Sequence, residues 1–396
     1  MRVLQIVPSV GPFRGGPSFT ARTMATELAR AGIDVHVVTT DDNGPARLAV
    51  PLGRPVPTDG ATYWYFPRQT RFYTASWPLT IWLDRQIGAF DVAHVHGLFT
   101  YTAIAGAACA LRRGVPYILR PLGSLNRAGF RRRPLLKQLS MALVERRVLR
   151  RAAAVQYASE QERHEAAALR LGEHAVVVPN PVALAATGIP PHPTGHFRAR
   201  HPWLIGRTVA LFLGRIDPIK GLDLLLPAFA QARARHHELA LVLAGTGEAP
   251  FVTRLQAEAA RLGLADSVCW AGFLEGEAKL AALADADMFV LPSYSENFGV
   301  AAAEAMGVGL PVIISDRVGI HQEVAAAGGG LVVAPAIHAI AEAIVTLAED
   351  PEGRQELGRR AQRFVAGFCA PAIVATQLIE LYAAVAQRRS LQGAMR

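Results

Sequence analysis

Two glutamates separated by seven residues, Glu296 and Glu304, lie in the stretch Phe289 to Ile314, FVLPSYSENFGVAAAEAMGVGLPVII. Glu296 falls in a loop ahead of Asn297, Phe298 and Gly299. Glu304 falls about a turn into the helix that the composition VAAAEAM predicts. A helix start offers free backbone N–H groups and the positive end of the dipole, which suits an anion such as a diphosphate. Consecutive amides at Asn297, Phe298 and Gly299, running into Val300, would meet that anion, and the glycine admits it without a Cβ in the way. A carboxylate beside an anion site is poorly placed for phosphate and well placed to accept hydrogen bonds from hydroxyls. The pair therefore suggests a sugar at one end of a ligand and a ribose at the other. Without this context, a solvated loop residue and an exposed helix residue would be the ordinary explanation.

A second set of charges follows the apolar run Val209 to Leu213, in Gly214-Arg215-Ile216-Asp217-Pro218-Ile219-Lys220-Gly221. Its spacing is not that of a P-loop. It does place a guanidinium, able to hold a phosphate bidentately, and a compact ammonium on one loop past a strand end. Arg215, Lys220 and the amides near Phe298 and Gly299 would together supply fixed positive ends for a diphosphate. No Asp-x-Asp stretch of the metal-dependent kind is read in the chain, and neither a metal nor another cofactor is expected.

The elements that must hold these residues alternate strand and helix, which implies parallel sheets covered by helices. The N-terminal half begins with a strand Val3 to Val7, the loop PSVGPFRGG, a helix from about Ser18 to Ala31 and a strand Ile33 to Val38. Phe19, Met24, Leu28 and Ala31 fall near one face of that helix. Gly11, Gly15 and Gly16 do not make a dinucleotide fingerprint, but the pair Gly15-Gly16 ahead of a helix suits a phosphate approach. Residues 43 to 80 are rich in Pro, Gly, Arg and aromatics and show little periodicity, so they read as an insertion. His94 and His96 are expected on opposite faces of the strand after Asp91, with His94 in the core and His96, at the C-terminal end, toward a site. The Pro-, His- and Gly-rich segment from about Ala183 to Pro202 reads as an interdomain linker.

At 396 residues, with 51% apolar and 18% charged residues, the chain has the composition of a folded two-domain enzyme. No uninterrupted apolar run approaches the roughly 18 residues that span a bilayer. Three well-separated cysteines, Cys109, Cys269 and Cys369, indicate neither a disulfide framework nor a zinc site, and the cytosol is the expected compartment. The net charge of +9 is concentrated between Arg127 and Arg151, which holds nine basic residues and one acid, Glu145. That segment is either a solvated helix face or a surface for anionic lipid headgroups or a lipid pyrophosphate acceptor. Nucleic acid is not expected, since no interleaved aromatics accompany the charges.

Taken in order, these motifs resemble the E-x7-E signature of retaining glycosyltransferases of family 4, over most of the chain. The resemblance implies the two-domain GT-B fold. Two Rossmann-like α/β domains with parallel sheets face across a cleft: 1–182 on the acceptor side and 205–370 for the nucleotide sugar. The linker 183–204 joins them, and a terminal helix, 371–396, crosses back. It implies that Glu296 contacts hydroxyls of the transferred sugar and that Glu304 holds the ribose. The resemblance further implies that Arg215 and Lys220, matching G-R-x-x-x-x-K-G, bind the donor diphosphate. By the same resemblance the Gly15-Gly16 loop would face the donor phosphates and the acceptor, and His96 belongs to a D-V-x-H-x-H-G pattern spanning Asp91 to Gly97. Many relatives carry R-P-H-G where this chain has Arg120-Pro121-Leu122-Gly123, so Leu122 stands in place of a histidine near the reacting sugar. The implied reaction is metal-independent transfer of a sugar, with retention, from a nucleoside diphosphate sugar to a glycan or lipid-linked acceptor in polysaccharide or glycolipid synthesis. Peripheral contact with the inner face of an anionic membrane is the corresponding expectation. Two other classes remain open, a GT-B-like sugar-nucleotide epimerase or phosphorylase and a non-catalytic nucleotide-sugar-binding protein.

Overall fold

The computed structural model describes residues 1–70, 73–125, 134–169, 174–185 and 194–394. The chain forms two compact units, Met1–Pro181 with Pro371–Arg396, and Val182–Ala370. Each is an α/β unit around its own sheet.

In the first unit the strands are β1 (Arg2–Ser9), β2 (Asp34–Thr40), a small antiparallel pair β3 (Asp42–Asn43) and β4 (Ala46–Arg47), β5 (Pro55–Thr58), β6 (Ala61–Phe66), β7 (Val92–His96), β8 (Tyr117–Arg120), β9 (Ala154–Tyr157) and β10 (Ala175–Val177). Eight of them form one sheet in the order β10-β9-β8-β7-β1-β2-β6-β5, parallel except where β5 meets β6. Alternation along β1 shows that both faces are buried. Val3 and Val7 join one core with Met24 and Leu28 of the helix Gly16–Arg30, while Leu4 and Ile6 join another with Leu79, Leu83 and Ala107. The terminal helix Pro371–Ala394 belongs to this unit, with Val374, Leu378 and Tyr382 in the first of those cores. By length and composition the stretch Pro351–Gln387 is apolar enough to cross a membrane. It is divided between two helices, and the apolar side chains of the second are core residues of the first unit.

Two expectations are corrected here. Phe19 does not share the buried face of its helix; it is exposed, and Thr20, Ala21, Met24, Ala25 and Leu28 face the core instead. Residues 43 to 80 are not an irregular insertion. They contain the hairpin β5–β6, closed by Asp59 and Gly60 in the left-handed region (φ 50° and 83°), with β6 lying parallel to β2. The Asp-Gly turn ahead of the alternating ATYWYF was a readable hairpin signal.

The second unit holds β11 (Thr208–Leu213), β12 (Leu239–Ala244), β13 (Val268–Gly272), β14 (Met288–Leu291), β15 (Val312–Ser315) and β16 (Gly330–Val333). All pair in parallel, in the order β13-β12-β11-β14-β15-β16. The chain first winds outward from β11 through β12 to β13, then returns to the other side of β11 with β14. This reversal makes a switch point between β11 and β14, where the loops leaving the two strands diverge and a crevice opens beyond their carboxyl ends.

Part of the segment expected as a linker lies outside the described residues, and its described residues, 183–185 and 194–204, belong instead to this unit. Within it the helix His196–Arg200 is capped by Asp285, whose carboxylate accepts from the amides of Gly195, Phe197 (2.7 Å) and Arg198 (2.9 Å). Phe197 and Leu204 are buried, so hydrophobic anchors and caps hold a stretch whose composition reads as loose.

Candidate active site

The loops at the β11–β14 switch point carry the charges singled out in the sequence. After β11 the backbone passes through Arg215 and turns at Pro218–Lys220, where Asp217 accepts from Ile219 N at 3.1 Å. Gly221 ends the turn in the left-handed region (φ 73°), and a Cβ there would sit 2.2 Å from the carbonyl oxygen of Pro292. Only glycine allows this approach, which brings the Lys220 loop against the loop leaving β14. Tyr294 N donates to Ile219 O at 2.8 Å and ties the two loops together.

Glu296 is held from the other side. Its amide donates to Arg317 O (3.0 Å) and its carbonyl accepts from Gly319 N (2.9 Å), in the loop after β15. Its carboxylate forms an ion pair with Lys220 Nζ, with both side chains mostly buried (16% exposed for Lys220 and 21% for Glu296). The chain then runs through Asn297 and Phe298 to Gly299, which caps the helix Val300–Gly307 in the left-handed region (φ 99°). A Cβ on Gly299 would lie 2.7 Å from Val318 Cγ1, and Phe298 is buried and stacked on Phe368. The amides at this helix start are therefore set by a buried anchor on one side and a glycine on the other.

Glu304 lies one turn further along this helix and pairs with Lys279 Nζ at 2.8 Å, from the helix Gly276–Asp285. Lys279 is a residue that the sequence reading missed. A usable signal was present: the chain has 41 lysines and arginines, of which three are lysines, Lys137, Lys220 and Lys279. Two of the three neutralise the two glutamates of the E-x7-E stretch. Arg215 differs from both, since its side chain is exposed and only loosely set, 3.7 Å from Asp217.

The spacing Asp285-Ala286-Asp287 is an Asp-x-Asp stretch that the sequence reading passed over. Its oxygens serve the fold. Asp285 caps the helix His196–Arg200, and Asp287 accepts from Val209 N (2.8 Å) and Arg198 Nη2 (2.9 Å).

The remaining sequence candidates belong to the first unit. Gly15 (φ 67°) and Gly16 open the helix Gly16–Arg30, and a Cβ added to either would meet nothing within 4 Å. His96 ends β7, the strand beside β1, so both features lie past the carboxyl edge of one sheet. The expectation that His94 and His96 point to opposite faces is wrong. Residues two apart on a strand share a face, and the rings lie 4.4 Å apart between centroids. Both are buried beneath the terminal helix, where His94 Nδ1 lies 2.7 Å from Tyr382 Oη. Arg120, also buried, can only donate, so its Nη1 donates to His96 Nδ1 at 3.3 Å and leaves the ring proton on Nε2. Burial, then the neighbouring His94 and Arg120 charges, hold His96 well below the ordinary histidine range, and it is uncharged at neutral pH. Leu122 occupies a left-handed conformation (φ 57°), unusual for a bulky residue, ahead of Gly123, whose amide donates to Glu162 at 2.6 Å.

Residues 196–364 match the model of the glycosyl transferases group 1 family, and residues 15–181 match that of the glycosyl transferase 4-like domain. The chain is 27% identical over 394 residues to the D-inositol 3-phosphate glycosyltransferase of Nocardia farcinica, covering 95% of this chain and 86% of that protein. It is 32% identical over 223 residues to the phosphatidyl-myo-inositol mannosyltransferase of Mycobacterium leprae, covering 54% of this chain and 55% of that protein. Its fold is similar to that of HepE from Anabaena, solved in complex with UDP-glucose, with a TM-score of 0.75 at 19% identity, covering 97% and 100% of the two chains. With two parallel-sheet units, a family match over most of its length and the E-x7-E charges assembled at a switch point, the chain belongs to the GT4-type glycosyltransferases of the GT-B fold.

Proposed function

We propose that the protein transfers a hexosyl group from a uridine diphosphate sugar to an acceptor hydroxyl, with retention of anomeric configuration and without a metal. The observation that carries this reading is the pairing of both E-x7-E carboxylates with lysines around the β11–β14 switch point. An anion arriving there meets Lys220, the exposed Arg215 and the helix-start amides, and it releases Glu296 to accept from sugar hydroxyls. Glu304 then takes the ribose. The complex of HepE with UDP-glucose supports the donor class. The names of the two curated relatives support an acceptor that presents a cyclitol or sugar hydroxyl near a phosphate.

In this reading the fixed cations take up the charge that grows on the leaving diphosphate, which is the work a metal does elsewhere. The acceptor attacks from the side the diphosphate leaves, and a phosphate oxygen takes the acceptor proton. His96, buried and uncharged, is not a base in this reading. The test is to incubate the protein with uridine diphosphate sugars and inositol phosphate or sugar acceptors, and to follow diphosphate release and the anomeric signal of the product by NMR. Acceptor-dependent release with an inverted anomeric centre overturns the retaining mechanism. Conversion of the donor to its epimer without acceptor overturns the transferase reading.

A further inference from the structure

Three abutting helical segments of the first unit, Pro134–Ser140, the π-helical Met141–Glu145 and Arg146–Arg151, form one run with two unlike sides. The inner side packs Met141, Val144, Val148 and Leu149 against the core. On the outer side Leu135, Leu136, Leu139 and Leu143 are 80%, 53%, 56% and 58% exposed. At helical spacing these four fall within an arc of roughly 100°, so they form one ridge rather than scattered surface leucines. Arg146, Arg147, Arg150 and Arg151 follow, all exposed and without a carboxylate partner among the described residues. Arg131, Arg132 and Arg133, part of the basic stretch noted in the sequence, lie outside the described residues. The one acid of the stretch, Glu145, is turned inward, accepting from Phe99 N (3.1 Å) and Ser140 Oγ (3.3 Å). The outer side therefore presents leucine and uncompensated guanidinium together.

We infer that this ridge seats the first unit on the surface of an anionic phospholipid bilayer. The leucines enter the boundary between headgroups and acyl chains, and the guanidinium groups hold lipid phosphates. Each half of the composition argues for this occupant. Nucleic acid would use the cations and leave the leucines without a partner. Protein interfaces favour aromatic anchors, and the outer face between Leu135 and Arg151 carries none. An interfacial helix on an anionic leaflet uses both groups at once, apolar side chains at the acyl boundary and cations at the phosphates. The inference is independent of the proposed reaction.

The experiment is co-sedimentation of the whole chain with vesicles of phosphatidylcholine, with and without phosphatidylglycerol. One variant carries Leu135→Ser, Leu139→Ser and Leu143→Ser. Another, which keeps every leucine, carries Arg146→Gln, Arg147→Gln and Arg150→Gln. The wild type is expected to pellet with the anionic vesicles at low salt and to stay in solution with neutral ones. Its binding should fade as the Debye length shrinks from about 10 Å at 0.1 M to about 3 Å at 1 M salt. Each variant should lower partitioning about tenfold or more at low salt. The circular dichroism spectrum and the thermal unfolding transition of both variants should match those of the wild type, which shows that neither has unfolded. Equal sedimentation with both vesicle types, none with either, or variants that bind like the wild type overturn the inference. So does a concentration-dependent dimer, seen by sedimentation velocity, that the leucine variant abolishes while vesicle binding is absent. That result assigns the ridge to a second copy of the chain.

Discussion

Lys220 and Glu296 neutralise one another, although they lie 76 positions apart in the chain. Each is the partner that the proposed donor would take from the other, since the diphosphate needs the ammonium and the sugar needs the carboxylate. Donor binding is then an exchange of ion pairs rather than a simple filling of the site. A nucleoside diphosphate lacking its sugar gains Lys220 but leaves Glu296 with no counter-charge.

Glu296→Gln separates the two halves of that exchange. It frees Lys220, so uridine diphosphate should bind about two- to fivefold tighter, because the attraction within a mostly buried ion pair is largely offset by the desolvation of its two charges. Turnover with the full sugar donor should fall on the order of 10²-fold or more. Calorimetry and a diphosphate-release assay measure the two effects. A variant that binds the diphosphate more weakly than wild type would count against the exchange.

Removing the fixed cations tests leaving-group stabilisation. Arg215→Ala and Lys220→Ala should each lower turnover by about 10²-fold or more, while a chelator leaves the wild-type rate unchanged. Strong inhibition by EDTA, reversed by magnesium or manganese, would point to a metal-clamped diphosphate instead.

Glu304 and Lys279 should behave as one unit. Glu304→Ala is expected to weaken diphosphate binding by about 1.5–3 kcal/mol, the loss of a charge-assisted hydrogen bond to a ribose hydroxyl. Lys279→Ala should cost less, because it disturbs only the orientation of the carboxylate. In a double-mutant cycle the two losses should fall short of additive, as for groups in direct contact. Strict additivity would mean that Lys279 does not act through Glu304. Equal binding of ribose and 2′-deoxyribose nucleotides by the wild type would count against the ribose assignment.

Glu145 makes stability depend on pH. Burial pushes its carboxyl up from 4.5 to about 7, partly offset by the hydrogen bonds from Phe99 and Ser140. A carboxyl raised in the folded state contributes its full stability below the unfolded value and loses it as pH rises through the folded one. The wild type should therefore lose up to about 3 kcal/mol relative to Glu145→Gln as pH rises from 4.5 to 8, the rise from 4.5 to about 7 converted at about 1.4 kcal/mol per tenfold change in proton affinity. Urea unfolding of both proteins across that range measures the difference. Parallel curves would show that Glu145 does not titrate there.

Much of the site was legible because its parts are local. A short apolar run, a polar loop, a glycine and an alanine-rich helix lie in one stretch, so composition alone places Glu296 before the helix start and Glu304 a turn inside it. The same holds for Arg215 and Lys220, which share one loop behind a strand. The misreadings have physical causes as well. Phe19 is exposed on a helix whose buried face combines Met24 and Leu28 with the small residues Ser18, Thr20, Ala21 and Ala25, so a count of large apolar residues alone misplaced it. The segment around Phe197 has the composition of a linker because its order comes from Asp285, nearly ninety positions away.

By itself the sequence determined the alternation of strands and helices, the family and the charged residues carried by the loops at the switch point, since periodicity, glycine position and motif spacing are properties of neighbouring residues. Only the tertiary structure decided which charges face one another. Lys220 reaches Glu296 because parallel strands β11 and β14 lie side by side at the switch point. Lys279 reaches Glu304 through helix packing, and Tyr382 reaches His94 across 288 positions of chain. Such pairs form only when folding brings distant segments within hydrogen-bonding distance, and the hydrophobic burial that does so is non-directional. No local pattern records which polar partners it leaves in contact.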